Sequence, residues 1–520
     1  MLLGACGRQA AHAPSRAPYV QPRVSLAPPG TRVRIDIAAT QDVHPISPLI
    51  YGFSGAPEKV RRAVRPTLES WGGNPSTRYN WRLGNAWNAA RDWRYMNGDY
   101  GYTGTSASDD FVAGALASGI EVRIALPTLG WVAKDNNRRS CSFPQPDGEC
   151  GDADQASCDR PGPLADPTRT SVRSDVDSIV AWVRHLRDER QFKIRFFAMD
   201  NEPELWGSTH YDVHPTCTTY QEIRDTYLAY ASAVRTVAPD AELLGPVTCC
   251  WYFYWNSAAG AVDKLRHGNQ DFLPWFLQAI REHDQQTGIR TLDVLDIHYY
   301  PEGLFNDKVD PETAAQRLRS TRSLWDPAYV DESWIDQPIV LIPRMKALID
   351  RHYPVLKLGI SEWNWGADQT MNGALAIADV LGIFGREGVY LASYWRSPAF
   401  GSPGMYAFKL YTNFDDHAGR FGDMSVRAIS SDADWVTAYA ARDSRTGHLT
   451  VMLLNKAPQH DLDVELTIDG FAPAQTAALY QYSAAAPNMI VRDSLVLGTA
   501  GSLTLPAYSL TLLVIEGQQP

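Results

Sequence analysis

From about residue 49 the chain alternates short apolar runs with longer stretches whose apolar residues recur at helical spacing. The runs are 49–53, 76–81, 122–127, 194–199, 243–247, 294–300, 358–362 and 391–395. Their length and largely unbroken apolar character are those of strands buried on both faces, as in a parallel sheet covered by helices. The stretch 174–189 is typical of the segments between them, with Val176, Ile179, Val180, Val183 and Leu186 on one helical face. Eight strands alternating with helices predict an α/β fold, a (β/α)8 TIM barrel, over residues 49–402.

Beyond residue 402 the helical spacing stops and strict alternation begins, in 449–454, 462–468 and 509–515. Residues 403–520 are therefore read as an all-β module. Val33-Arg34-Ile35-Asp36-Ile37 has the same period of two, so 31–48 are expected to supply a strand that completes a β-sandwich with that module and covers an edge open to association. Residues 1–30 are set apart from the fold. Ala and Pro dominate 9–29, as in a flexible tether, and Leu2-Leu3-Gly4-Ala5-Cys6 resembles the end of a bacterial lipoprotein signal, which makes Cys6 a candidate lipid anchor on a secreted or cell-surface protein.

Composition narrows the function. A net charge of −11 argues against nucleic acid as a partner, because polyanion binding needs a cationic face. No run reaches the roughly 18 apolar residues of a membrane span. The 16 Trp and 24 Tyr supply rings that fill cores or form platforms for sugar faces. Six cysteines besides Cys6 fit an oxidising compartment; their pairing is open, with one bridge expected in the 141–158 loop. Asp135, Asp147, Glu149, Asp152 and Asp154 in that region offer hard oxygen ligands for Ca2+, but without the ordered spacing of a calcium-binding hand they read first as a solvated acidic loop.

In such a barrel the reacting groups stand at the C-terminal ends of the strands. Two ends carry carboxylates: Asp200-Asn201-Glu202-Pro203 after the fourth strand and Ser361-Glu362-Trp363-Asn364-Trp365 after the seventh. Hydrolysis of an acetal needs one group to protonate the leaving oxygen and a second to attack or stabilise the anomeric carbon, which two carboxyls across the mouth can do. Asn201 is placed to donate to a sugar 2-hydroxyl. Arg78, read as the end of the second strand, could hold Glu362 ionised. Trp395 is a candidate floor for the sugar being cleaved, with Trp81, Trp131, Trp206, Trp325 and Trp365 as candidates for flanking subsites.

Asn-Glu-Pro after strand four together with a glutamate ending strand seven resembles the clan A glycoside hydrolases, as does the pair His298 and Tyr300 ending strand six. The run from Met199 to His210, with Thr77-Arg78-Tyr79-Asn80-Trp81 and the C-terminal β-module, narrows the resemblance to glycoside hydrolase family 44. Trp363 and Trp365 depart from it, since the family more often has tyrosines beside this glutamate. The resemblance implies an endo-acting, retaining hydrolase of β-1,4-glucans such as cellulose and xyloglucan, with xylan or mannan as further substrates. Glu202 would be the acid/base, its pKa raised by repulsion from Glu362; Glu362 would be the nucleophile, with Tyr300 donating to it. No cofactor is required, the partner is a polysaccharide, and a monomer is expected. Two readings compete: an exo-acting clan A enzyme such as an α-L-arabinofuranosidase, and a carbohydrate-binding protein without catalysis.

Overall fold

The computed structural model describes residues 31–101 and 106–517, so the tether and Cys6 lie outside the described residues. Eight parallel strands, Gly52–Phe53, Leu68–Trp71, Glu121–Leu126, Phe196–Met199, Glu242–Thr248, Val294–Tyr299, Lys357–Trp363 and Leu391–Tyr394, close into a barrel in which the last pairs with the first. Strand six shows how the layers form. Leu295 and Ile297 pack outward among the helices, whereas Val294 packs inward with Leu244 and Leu391. Asp296, on the inward side, takes a hydrogen bond from Arg123 of strand three (2.9 Å) and one from the Ser361 amide of strand seven (3.1 Å). A charged pair thus fills part of the barrel interior.

The second strand differs from the expected 76–81. It is Leu68–Trp71, and Asn74–Thr77 form a short helical turn beyond it. The reason is Glu69, fully buried at mid-strand and clasped by Arg61 of the helix Glu58–Val64. A carboxylate paired from outside breaks the apolar pattern by which such a strand is read.

The second unit is a β-sandwich. The strand Arg32–Ala38 lies between Met424–Ser430, antiparallel, and Leu462–Asp469, parallel. Leu449–Asn455 is buried along its whole length because both its faces are covered. Leu449, Val451 and Leu453 point into the sandwich core, while Met452 and Leu454 join Leu510 and Leu512 against the barrel. At that junction Asp379, on the barrel helix Met371–Arg386, accepts from Thr321 (2.6 Å), Thr437 (2.6 Å), Tyr439 (2.7 Å) and Lys456 (2.8 Å).

Candidate active site

Asp200 organises the mouth of the barrel. Its buried carboxylate accepts from the Thr77 hydroxyl (2.6 Å), the Thr128 hydroxyl (3.0 Å), the Leu129 amide (3.0 Å) and the Asn201 amide (2.8 Å), tying together the segments that follow strands two, three and four. The chain turns sharply here, with Asp200 and Glu202 both in the left-handed region (φ 69° and 46°). Such a conformation is strained for residues with a Cβ and persists where surrounding contacts hold it. The Glu202 amide donates to the Val247 carbonyl (3.0 Å), which fixes the glutamate against strand five.

Glu362 comes from the end of strand seven, and His298 from strand six stands between the two glutamates. Its Nδ1 lies 2.9 Å from Glu202 Oε1 and 3.5 Å from Glu362 Oε2. The Tyr300 hydroxyl donates to Glu362 Oε2 at 2.8 Å. One oxygen from each carboxylate and the His298 nitrogen all lie within 4.8 Å of one another. Behind them the Tyr254 hydroxyl donates to the His298 carbonyl, which anchors strand six to the helix Trp251–Trp255.

Burial raises both carboxyls. Glu202 is lifted to about 8, by burial first and then by the charge of Asp92. The repulsion between the two carboxyls is mutual, and it raises Glu362 as well. Glu362 is lifted less, to about 7: burial and Glu202 raise it, while His298, the Tyr300 hydrogen bond and the Arg123 guanidinium pull it down. The neighbours of Glu362 thus hold its carboxyl below that of Glu202, the sense in which a pair of carboxyls can divide acid from base. Glu204, two residues on, is also buried and accepts from Thr248 (2.9 Å) and the Cys249 amide.

A profile of glycoside hydrolase family 44 matches residues 86–303. CelM2, a bifunctional glucanase-xylanase from a metagenome library, is 35% identical and superposes with a TM-score of 0.88, covering 94% of this chain and 100% of its own. The chain belongs to glycoside hydrolase family 44. A family 44 xyloglucanase from Paenibacillus polymyxa superposes with a TM-score of 0.81 at 26% identity, over 94% of this chain and 100% of its own. Endoglucanase A from Paenibacillus lautus is 30% identical over 452 residues, which are 82% of this chain; the chain spans 64% of that relative's own length.

Within this family 44 chain the sequence-predicted residues fall into two groups. Glu202, Glu362, His298 and Tyr300 meet at the mouth, and Asn201 joins them, its side chain held by Gly73 and Asn74. Trp395 follows strand eight, partly exposed, with its ring over Gly73: a Cβ at Gly73, whose φ is 77°, would lie 2.2 Å from that ring. Trp131 is also partly exposed, with the Arg173 guanidinium 3.9 Å over its ring.

The others are elsewhere. Arg78 does not end a strand and does not reach Glu362; it is fully buried and forks onto Asp212 (3.0 and 3.2 Å) and Ser171 (2.5 Å). A guanidinium without water must have a carboxylate in contact, and Asp212 supplies it. Arg123, which the sequence reading missed, is the arginine that acts on Glu362; its signal was a lone charge inside the apolar run 122–127. Trp365 is wholly buried against Trp363 and Tyr299, its indole N–H donating to Ser320 (3.0 Å), so it is core and lines no subsite. Trp206 is buried with Leu129 and Val213. Trp81 donates to the Ser178 carbonyl (3.1 Å) on the helix Val176–Arg184, and Trp325 lies under Arg386.

The acidic loop gathers no common site. Asp135 accepts from Asn97, Asn137 and Ser140, Asp147 from the Glu149 amide, and Asp152 from the Asp154 amide, so these carboxylates hold local turns. Among the described residues, Glu202, His298 and Glu362 form the one group of three or more His, Cys, Asp or Glu side chains that converges. Disulfides Cys141–Cys150 and Cys158–Cys217 brace this region, the first inside the loop where a bridge was expected.

Proposed function

We propose that this protein is an endo-acting, retaining glycoside hydrolase that cuts β-1,4-glucan backbones, cellulose and xyloglucan foremost, with xylan or mannan as secondary substrates. The observation that carries this reading is the close approach of Glu202 and Glu362, one oxygen of each lying within 4.8 Å of one of the other. Retaining enzymes hold their carboxyls about 5–5.5 Å apart, whereas inverting ones leave about 6.5–9.5 Å for a water.

Glu362, oriented by Tyr300, attacks the anomeric carbon while Glu202 protonates the leaving oxygen. Once Glu362 is esterified its charge is gone, and Glu202, now ionised, takes a proton from the water that releases the sugar. Asn201 has one amide hydrogen beyond that given to Asn74, free for the 2-hydroxyl, and Trp395 provides a ring at the same place. The activities of the relatives, glucanase-xylanase and xyloglucanase, support the substrate class. The two disulfides support a secreted or cell-surface location, and among the described residues no helix is long and apolar enough to cross a membrane.

The test is hydrolysis of carboxymethyl cellulose, xyloglucan, xylan and mannan by wild type, Glu202→Gln and Glu362→Gln, with chain-length analysis and NMR of the first-formed anomer. Internal cleavage with a β-product, and loss of about a thousandfold or more in both variants, is expected. Release of single sugars alone would replace the endo reading with the exo one. Binding without any product would leave only a carbohydrate-binding protein.

A further inference from the structure

We propose that Asp92 is a positioning residue that acts through Asn74, together with the Gly73 amide, to hold the Asn201 amide with one N–H toward the sugar. The inference rests on the reading of Glu202 and Glu362 given above. Three hydrogen bonds carry it. Asn74 Nδ2 donates to Asp92 Oδ2 at 2.7 Å, Asn201 Nδ2 donates to Asn74 Oδ1 at 3.2 Å, and the Gly73 amide donates to Asn201 Oδ1 at 3.2 Å.

An asparagine amide can be turned over with little change in shape, so something must decide which end is the donor. Here both ends of the chain decide it. An ionised carboxylate only accepts, so Asn74 must turn its NH2 toward Asp92 and its carbonyl toward Asn201. A backbone amide only donates, so Asn201 must turn its carbonyl toward Gly73. Its NH2 then has one hydrogen on Asn74 and a second to give. Without the carboxylate, Asn74 can invert and present its own NH2 to that of Asn201, two donors face to face.

Asp92 also faces Glu202 as a charge. The other titratable groups bearing on Glu202 among the described residues are His298 in direct contact and Glu362, Glu204, Tyr254, Tyr300 and Cys249 around it; Arg91 is the described cation beside Asp92. None of these occupies the relay. Asp92 lies in the short turn Ala90–Trp93, and it reaches the site from outside the strand ends through Asn74.

The experiment compares wild type, Asp92→Asn and Asn74→Ala on soluble xyloglucan, recording kcat, KM and the pH profile of kcat/KM, with thermal unfolding as the check on folding. The 2-hydroxyl contact strengthens in the transition state, so both variants should lose about tenfold in kcat with KM within about twofold. Asp92→Asn should also move the alkaline limb to lower pH, because a negative charge near Glu202 is gone and the acid gives up its proton sooner. Asn74→Ala keeps the carboxylate and should move the limb less than Asp92→Asn does. Unchanged kcat, or an unmoved alkaline limb, in a folded Asp92→Asn overturns the proposal; if that variant does not fold, an unchanged kcat in Asn74→Ala does so. Wild type inactive on every β-1,4-glucan overturns the functional reading and this inference with it, whereas active wild type with unaltered variants overturns this inference alone.

Discussion

Glu362 owes its lower pKa of the pair to particular neighbours, and Tyr300 is the one most simply removed. The Tyr300 hydroxyl donates to the ionised form of Glu362 and so stabilises its charge. In Tyr300→Phe the carboxyl should rise further, and since the nucleophile must be ionised, the acid limb of kcat/KM should move to higher pH. Wild type itself should give a bell, its acid limb set mainly by Glu362 and its alkaline limb by Glu202, with apparent values that belong to the pair. A pH titration of both proteins checks this; coincident acid limbs would remove Tyr300 from the site. Gly73→Ala tests the platform at the same scale: with Trp395 in contact and a left-handed φ, the methyl must push the ring aside, raising KM for polymers while unfolding stays cooperative. The residues legible in the sequence were those at strand ends, because strand ends can be counted. Arg78 was given the action on Glu362 that belongs to Arg123, because each pairing partner is distant in sequence, Asp296 for Arg123 and Asp212 for Arg78.

Loops are the elements that carry the site, and they are held by buried polar contacts more than by apolar ones. Arg78 after strand two meets Asp212 after strand four, and Asp212 also takes the hydroxyl of Ser142 in the loop after strand three (2.7 Å). Asp212→Ala leaves a guanidinium unpaired where no water reaches, and breaking a buried pair from one side costs about 3–5 kcal/mol. Chemical unfolding of that variant should show the loss, together with lowered activity, since Asp200 links the same three loops. Seven of the eight strands could be placed from apolar runs because helices cover a parallel sheet on its outside. The second could not, for Glu69 interrupts its pattern and its partner Arg61 gives no sign of pairing until the helix has packed. Trp365 misled for the opposite reason: it lies near Glu362 in sequence, yet beyond the end of strand seven the chain turns it into the core.

At the scale of the whole molecule the barrel and the sandwich share an interface in which apolar residues surround the buried pair of Asp379 and Lys456. Burial alone would raise the Asp379 carboxyl, but Lys456 and the surrounding hydroxyls more than offset this and hold it below its ordinary value. A depressed folded-state pKa contributes stability at neutral pH that is lost as pH falls through the carboxylate range. Lys456→Met should therefore lower the unfolding midpoint at pH 7 and narrow the gap from wild type in acid, a trend calorimetry across pH would record. Alternation made the sandwich legible, although the run 449–454, read among the alternating segments, is buried on both faces because the second one meets the barrel.

The strand Arg32–Ala38 bears on how the chain comes to be folded. Its Arg32 pairs with Glu465, 433 residues later, so a chain delivered from its N-terminal end exposes this strand long before either neighbour exists. The barrel can close while one apolar ribbon, Val33, Ile35 and Ile37, waits unpaired beside it. Contacts of such separation form slowly and leave edges open to other chains. The arrangement works as a buckle: its tongue is made first and its frame last, and only the complete strap fastens.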